Sequence, residues 1–166
     1  RLIASDQSGN IYLYNLKGEN LEGWQPLKTD GRLVDEVKHV RVAAKDMLIA
    51  VEENGTIQVR NRRGESYDNF PLKLNKKIIS NVLIQKGKSL ENSFISVLTE
   101  DLTLYKISME GKFNDQQLDT TSTLCHELKG GGWLLAKKEN KGINVIDGDG
   151  DNKAFLPVAA SPTFYQ

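Results

Sequence analysis

Leu48-Ile49-Ala50-Val51-Glu52-Glu53-Asn54-Gly55-Thr56-Ile57-Gln58-Val59-Arg60-Asn61-Arg62-Arg63-Gly64 reads as a strand, a turn, a second strand and a second turn. Met47 to Val51 is a continuous apolar run, the pattern of a strand covered on both faces. Asn54-Gly55 is the strongest short hairpin signal and predicts a tight primed turn, because both residues tolerate positive φ. Ile57 to Arg60 alternates as a third strand, and Gly64 supplies a left-handed turn position. Working outward, Val40 to Ala44 alternates and is followed by Lys45-Asp46, which predicts a first strand and its turn. Downstream, Phe70-Pro71-Leu72-Lys73-Leu74 predicts a short fourth strand; Pro71 has no amide to donate, so this strand belongs at an edge. The unit is a four-stranded antiparallel sheet.

The same unit recurs along the chain. Leu2-Ile3-Ala4, Ile11-Tyr12-Leu13 and Gly18 repeat the pattern, as do Leu134-Leu135-Ala136, Ile143-Asn144-Val145 and Gly150, and the three copies superpose without a gap from the leucine to the glycine. A fourth copy, Phe94 to Val97 with Leu102-Thr103-Leu104 and Gly111, fits with a residue dropped in one turn and extra residues in the next. A period of about 40–46 residues built from short strands is the signature of propeller blades. The expected fold is therefore an all-β β-propeller of four four-stranded antiparallel blades, with repeats at about 1–37, 38–79, 80–121 and 122–166. Trp24, Phe70 and Phe155 follow the glycine turns beside a proline and are expected to wedge between blades, where one aromatic covers roughly 150–250 Å2. Phe113 breaks this pattern. Blades cover both faces of their middle strands, which accounts for Tyr12, Tyr14, Tyr105 and Ile146 where an open sheet would carry charge. No segment sustains a helical period; Leu33, Val34 and Val37 come nearest. The first repeat begins at its second strand, and 160–165 reads as an innermost strand without a following repeat. Two arrangements fit: a closed small ring, or an arc of a larger propeller.

Composition excludes several classes. Lys and Arg number 22 against 22 Asp and Glu, so no global charge draws the chain to nucleic acid or anionic membrane. No apolar run approaches the ~18 residues of a membrane span. The single cysteine, Cys125, rules out an internal disulfide.

The string Asp6-Gln7-Ser8-Gly9-Asn10-Ile11-Tyr12-Leu13-Tyr14-Asn15, followed by Gly18 and Gly23-Trp24-Gln25-Pro26, resembles the blades of bacterial PQQ-like and WD40-like propellers (quinoprotein-alcohol-dehydrogenase-like). The resemblance covers all four repeats. It implies a propeller module, often extracytoplasmic or periplasmic, acting in recognition or scaffolding. It does not bring a quinone with it, since a quinoprotein site needs a capping pair of cysteines and Cys125 stands alone. The Trp-Asp and Gly-His dipeptides of strict WD40 repeats are absent.

Five candidates for chemistry remain. Asp147, Asp149 and Asp151 are spaced like the opening of a calcium loop, because Ca2+ takes six to eight hard oxygen ligands on a turn. The repeat register nonetheless puts Asp147 where Asn15 and Asn61 stand, and the twelfth position of an EF-type loop is Val158, so the turn reading leads and calcium is the alternative. Cys125-His126 suggests a nucleophile and base, but neighbours on a strand point to opposite faces. His126-Glu127 lacks the second histidine of a zinc-protease helix, and His39 stands elsewhere. Gly130-Gly131-Gly132 has no Lys-Ser/Thr after it and reads as a hairpin rather than a phosphate cradle. Between 60 and 88 eight cations face only Glu65 and Asp68, so Arg60, Arg62, Arg63, Lys73, Lys76 and Lys77 form a candidate patch for an anionic protein partner; aromatic residues for nucleic acid are too few nearby. The function expected is a non-enzymatic propeller module for protein interaction or scaffolding within a larger chain, without a cofactor. The alternative is a ligand-binding or catalytic propeller whose site other segments complete.

Overall fold

The computed structural model describes residues 2–6, 8–24, 26–118, 122–128, 132–137 and 142–158, with the backbone alone for 122–127, 136 and 137. The described residues form four antiparallel sheets and no helix. The first sheet comprises β1 (Leu2–Ser5), β2 (Asn10–Tyr14) and β3 (Leu27–Lys28); the second β4 (Lys38–Val42), β5 (Lys45–Val51), β6 (Thr56–Arg60) and β7 (Leu72–Lys73). The third comprises β8 (Leu83–Gln85), β9 (Phe94–Leu98), β10 (Thr103–Ser108) and β11 (Phe113–Gln117); the fourth β12 (Ser122–Glu127), β13 (Trp133–Lys137), β14 (Gly142–Ile146) and β15 (Asn152–Pro157). Within each sheet, neighbours in sequence are neighbours in space. The stretch 160–165, expected as an innermost strand, lies outside the described residues.

The core lies between sheets. Ile11, Leu13 and Trp24 of the first sheet bury Leu48 and Ala50 of the second. Ile49, Val51, Ile57 and Val59, on the second sheet's other face, pack with Ile95, Val97, Tyr105 and Ile107 of the third. Leu98 and Leu104 then meet Trp133, Leu135 and Ile146 of the fourth. Burial on both faces explains the unbroken apolar run of β5.

One turn recurs. In seven hairpins among the described residues, the first residue's amide donates to the carbonyl four residues on and receives back the amide three residues on. The residue that closes it has positive φ: Gly9, Gly18, Gly55, Gly64, Gly111 and Gly150, with Leu102 the one side chain in that role. Three-residue loops that end in a left-handed residue are the next commonest hairpin after the primed two-residue form. Asn54-Gly55 belongs to this type, which corrects the primed-turn expectation: only Gly55 is left-handed, and Asn54 Oδ1 accepts the Thr56 amide at 2.9 Å.

Three further expectations are corrected. The β4–β5 turn is Ala43-Ala44, with φ of 46° and 64°, and not Lys45-Asp46, since Val42 pairs directly with Lys45. The gapless sequence match of the fourth repeat does not carry over to its strand pairing. Leu135 pairs with Asn144, whereas Ala50 pairs with Gln58, so the fourth sheet is slipped by one residue between its second and third strands. Such a slip exchanges the two faces of a strand. Trp133 and Leu135, both wholly buried, take the places of Leu48 and Ala50, and Leu134 turns to the outer face. Finally, Trp24 and Phe70 are buried wedges, but Phe155 is 45% exposed. It sits mid-strand opposite Asn144, its ring over Gly142, where the longer β15 pairs with β14 from Asn152 to Pro157 around an irregularity at Lys153.

Candidate functional site: the rim around Arg32

Antiparallel blades sort their loops onto two rims. One rim carries the hairpins 6–10, 52–56 and 99–103 together with the linkers into the next sheet, 29–37 and 74–82. The linkers are held there by backbone bonds. Glu53 N donates to Arg32 O at 2.7 Å and Val34 N to Val51 O at 3.0 Å; Glu100 N donates to Lys77 O at 2.8 Å and Ile79 N to Leu98 O at 2.9 Å. Ile78 N reaches back to Glu53 O at 3.0 Å and ties the two linkers together.

Among the described residues, three cavities open on this rim. One of about 360 Å3 lies between the linkers, lined by Arg32, Val34, Glu53, Lys77 and Ile79. A second, of about 420 Å3, adds Asn54, Asn75, Lys76 and Glu100; a third, of about 730 Å3, runs from Asp6 and Gly9 to Asp35 and Glu36. Arg32 lines all three, is exposed, and has no ion pair among the described residues.

Most other charges lining these cavities are paired, Glu100 being an exposed exception. Lys77 Nζ lies 3.0 Å from Glu53 Oε1, and Lys76 Nζ 2.6 Å from Asp101 Oδ2. The Lys76 ammonium, helped by the Thr99 hydroxyl, holds the Asp101 carboxyl well below the usual carboxylate range. Glu52, wholly buried beneath its hairpin, accepts Gln58 Nε2 at 2.7 Å and Asn54 Nδ2 at 3.3 Å. Asp6, its counterpart in the first sheet, accepts Asn10 Nδ2 and Tyr12 Oη at 2.8 and 3.0 Å, and the Asn10 bonds lower its pKa. An acid at the head of the turn, reached by the residue six positions on, braces the hairpin in both sheets. These acids serve turns.

The six-cation patch is divided. Lys73 pairs with Thr56, and Lys76 and Lys77 follow it on the Arg32 rim; Arg60, Arg62 and Arg63 lie at the far end of β6. At ~3.3 Å per residue, that strand separates the groups by roughly 15 Å. Arg62 Nε is 3.0 Å from Asp46 Oδ2 on the opposite rim, where His39 Nε2 meets Asp46 Oδ1 at 3.1 Å. Burial works to raise the Asp46 pKa, but the His39 bond with Arg62 and Arg41 outweighs it and the carboxyl titrates low. Arg60 donates to Gln58 Oε1 at 3.0 Å and to Gly64 O at 2.8 Å.

Asp147, Asp149 and Asp151 lie on the turn the register assigns them. Asp147 Oδ1 accepts the amides of Asp149 and Asp151, each at 3.0 Å, as Asn15 and Asn61 do in their turns. Asp147 Oδ2 meets Lys153 at 2.8 Å, and Asp149 pairs with Lys106 of the third sheet. Among the described residues no group of three or more His, Cys, Asp or Glu is disposed to hold a metal. Cys125 and His126 are backbone partners of Leu135 and Leu134 on β12; Gly130 and Gly131 lie outside the described residues, and Gly132 is left-handed at φ 112°.

No protein-family model and no curated protein sequence matches the chain. Solved structures do. BamB from Moraxella catarrhalis aligns with 96% of the chain at TM-score 0.60 and 15% identity, and BBS1N in complex with ARL6DN with 96% at TM-score 0.61 and 17% identity. A protein from Bacteroides caccae described as of unknown function aligns at TM-score 0.53 and 12% identity. The fold is a β-propeller. The chain spans about half the length of BamB and BBS1N, 48% and 50%. Sequence reasoning passed over Arg32, Glu53, Glu100 and Asp101. The signal available was topological: strand order alone sends residues 29–37, 52–55 and 74–82 to one rim.

Proposed function

We propose that the chain is a non-enzymatic β-propeller module that binds a protein partner through the rim around Arg32, within a larger chain or assembly. The observation that carries this reading is an exposed guanidinium, without an ion pair among the described residues, where three open cavities of mixed lining meet and where Glu53 and Asp101 are already engaged by lysines and Glu52 by its turn. Arginine is enriched at the centres of protein interfaces, where its planar fork pairs with carboxylates. The structure of BBS1N with ARL6DN is one in which a similar fold occurs in a complex with another protein. The reading needs no cofactor, and it takes Asp147, Asp149 and Asp151 as turn and ion-pair residues.

A photo-crosslinker at Ile79, 40% exposed in the cavity that Arg32 lines, and, separately, at Arg63 on the opposite rim tests it in extracts of the source cells. The expected result is a saturable protein adduct from the Ile79 position alone, lost on Arg32→Glu. Equal labelling from both rims overturns the assignment. Cavities of about 360–730 Å3 also fall within the ~300–1,000 Å3 of small-molecule sites. They support the second reading, a ligand site completed by other segments, which a metabolite thermal-shift screen addresses. An extracytoplasmic location accompanies the proposal on the strength of the blade resemblance, and fusion to a compartment-specific reporter checks it.

A further inference from the structure

The outward flanks of the first and fourth sheets repeat, in exposed form, the two halves of an interface buried elsewhere in the molecule. On the first sheet, Leu2 pairs with Tyr14 and Ala4 with Tyr12, and these four side chains share the face away from the second sheet. The residues 46 positions later, Leu48, Ala50, Gln58 and Arg60, share the corresponding face of the second sheet, with Leu48 and Ala50 buried to 5% and 3% under Ile11, Leu13 and Trp24. Leu2 is 55% exposed, Ala4 is exposed, and the tyrosines are half-buried with stacked rings 6.2 Å apart.

The turn glycines report the same difference. A Cβ on Gly64 would stand 3.4 Å from the Trp24 ring, one on Gly111 2.6 Å from Asn69, and one on Gly150 2.8 Å from Leu104. Each is approached by the sheet before it. Gly18 holds the same turn at φ 81° with nothing within 4 Å. Beside it, Leu16 is 84% exposed.

The fourth sheet offers the other half. Ile143 and Val145 hold the register of Ile57 and Val59, which are wholly buried against the third sheet. Ile143 and Val145 are only half-buried, along with Leu134, which pairs with Val145, and Leu156, which pairs with Ile143 and is 48% exposed.

We propose that these two flanks are a head-to-tail docking pair and that the occupant is a second copy of this chain. The fourth sheet of one copy packs Ile143 and Val145 on Leu2 and Ala4 of the other, and the reciprocal contact closes an eight-bladed ring with two-fold symmetry. Two features support it. The contact continues an interface that the chain already makes three times. One chain carries both complementary faces, as head-to-tail association requires, and a closed ring rather than a filament forms where the rotation between copies closes. The chain's zero formal charge opposes no such approach. None of Leu2, Ala4, Ile143 and Val145 lines a cavity of the Arg32 rim, so substitutions on these flanks test this inference apart from the rim.

Sedimentation velocity and light scattering on the chain from about 1 to 100 µM are the test, with Leu2→Asp altering one flank and Val145→Asp the other. Leu156→Asp, at a more exposed position, replaces Val145→Asp if circular dichroism shows misfolding. The expected result is a species of twice 18.6 kDa for the unmodified chain, and at least tenfold weaker association for each single variant. A one-to-one mixture of the two variants should regain dimers, because the intact fourth-sheet flank of the Leu2→Asp copy meets the intact first-sheet flank of the other. A monomer throughout the range, a ladder of larger species, or a mixture that stays monomeric while the unmodified chain dimerises each overturns the proposal.

Discussion

Gly18 and Gly111 share a turn and a backbone conformation, with φ of 81° and 83°, and differ only in what stands beside them. Replacing each with alanine separates the cost of the conformation from the cost of the inter-blade approach. At Gly18 the methyl meets open space, leaving only the left-handed backbone penalty, about 1 kcal/mol. At Gly111 the methyl would stand 2.6 Å from Asn69 Cβ. Asn69 cannot yield easily, because it is itself left-handed at φ 66° and its Nδ2 donates to Glu110 O at 2.9 Å. Overpacking of this kind adds about 1–3 kcal/mol, so Gly111→Ala should cost about 3 kcal/mol in all. For a chain of this length one kcal/mol moves Tm by about 2–4 °C, which gives roughly 3 °C for Gly18→Ala and roughly 9 °C for Gly111→Ala. Calorimetric melting reads both, and urea titration at unchanged slope confirms that stability alone has changed. The pair is measured in the Leu2→Asp background, which keeps Gly18 clear of a second copy. Equal losses at the two positions would refute the close packing of blade on turn.

Four other outcomes are expected. Ala43→Asn with Ala44→Gly places the preferred primed-turn pair where two alanines are left-handed and should raise the urea midpoint, with a gain of about 1–2 kcal/mol. Trp24→Phe removes an indole N–H that donates to Ile11 O at 3.2 Å, whereas Trp133→Phe removes a buried N–H with no partner among the described residues; a chemical-denaturation comparison should find the former costlier by about 1 kcal/mol. Asp147→Asn keeps the turn acceptor that Asn15 and Asn61 supply and loses only the exposed Lys153 pair, so it should cost less than about 1 kcal/mol, and millimolar calcium should shift the melting of neither protein; a calcium-dependent rise abolished by the substitution would restore the metal reading. The Asp101 carboxyl has a folded pKa below its unfolded value of 3.8, so its stabilisation is present above that pH and is lost as pH falls below it; Lys76→Met should flatten the acid limb of a stability–pH profile, and an unchanged limb argues against the pair.

Much of the architecture was legible because two signals are local. Recurring glycines mark where the backbone must turn left-handed, and alternation or apolar continuity marks strands and their coverage. From these the repeat, the four sheets, the buried Trp24 and Phe70 and the turn role of Asp147 could be read without knowledge of distant contacts. The rim was not legible in the same way. Arg60 and Lys76 belong to one charge cluster in sequence, yet an intervening strand puts them at opposite ends of the sheet. Arg32 and Lys77 are far apart in sequence and meet across one cavity because two linkers are bonded side by side.

The sequence by itself determined the blade, since four short strands, their turns and their apolar faces follow from the conformational limits of glycine and the two-residue period of a strand. Tertiary structure decided register and company. Whether Leu134 or Leu135 faces the core depends on one residue more or less in a turn, and pairing across the sheet settles it. Whether a flank such as Leu2, Ala4, Tyr12 and Tyr14 is interior or surface depends on what packs against it, a property of neighbouring sheets that no stretch of chain carries alone.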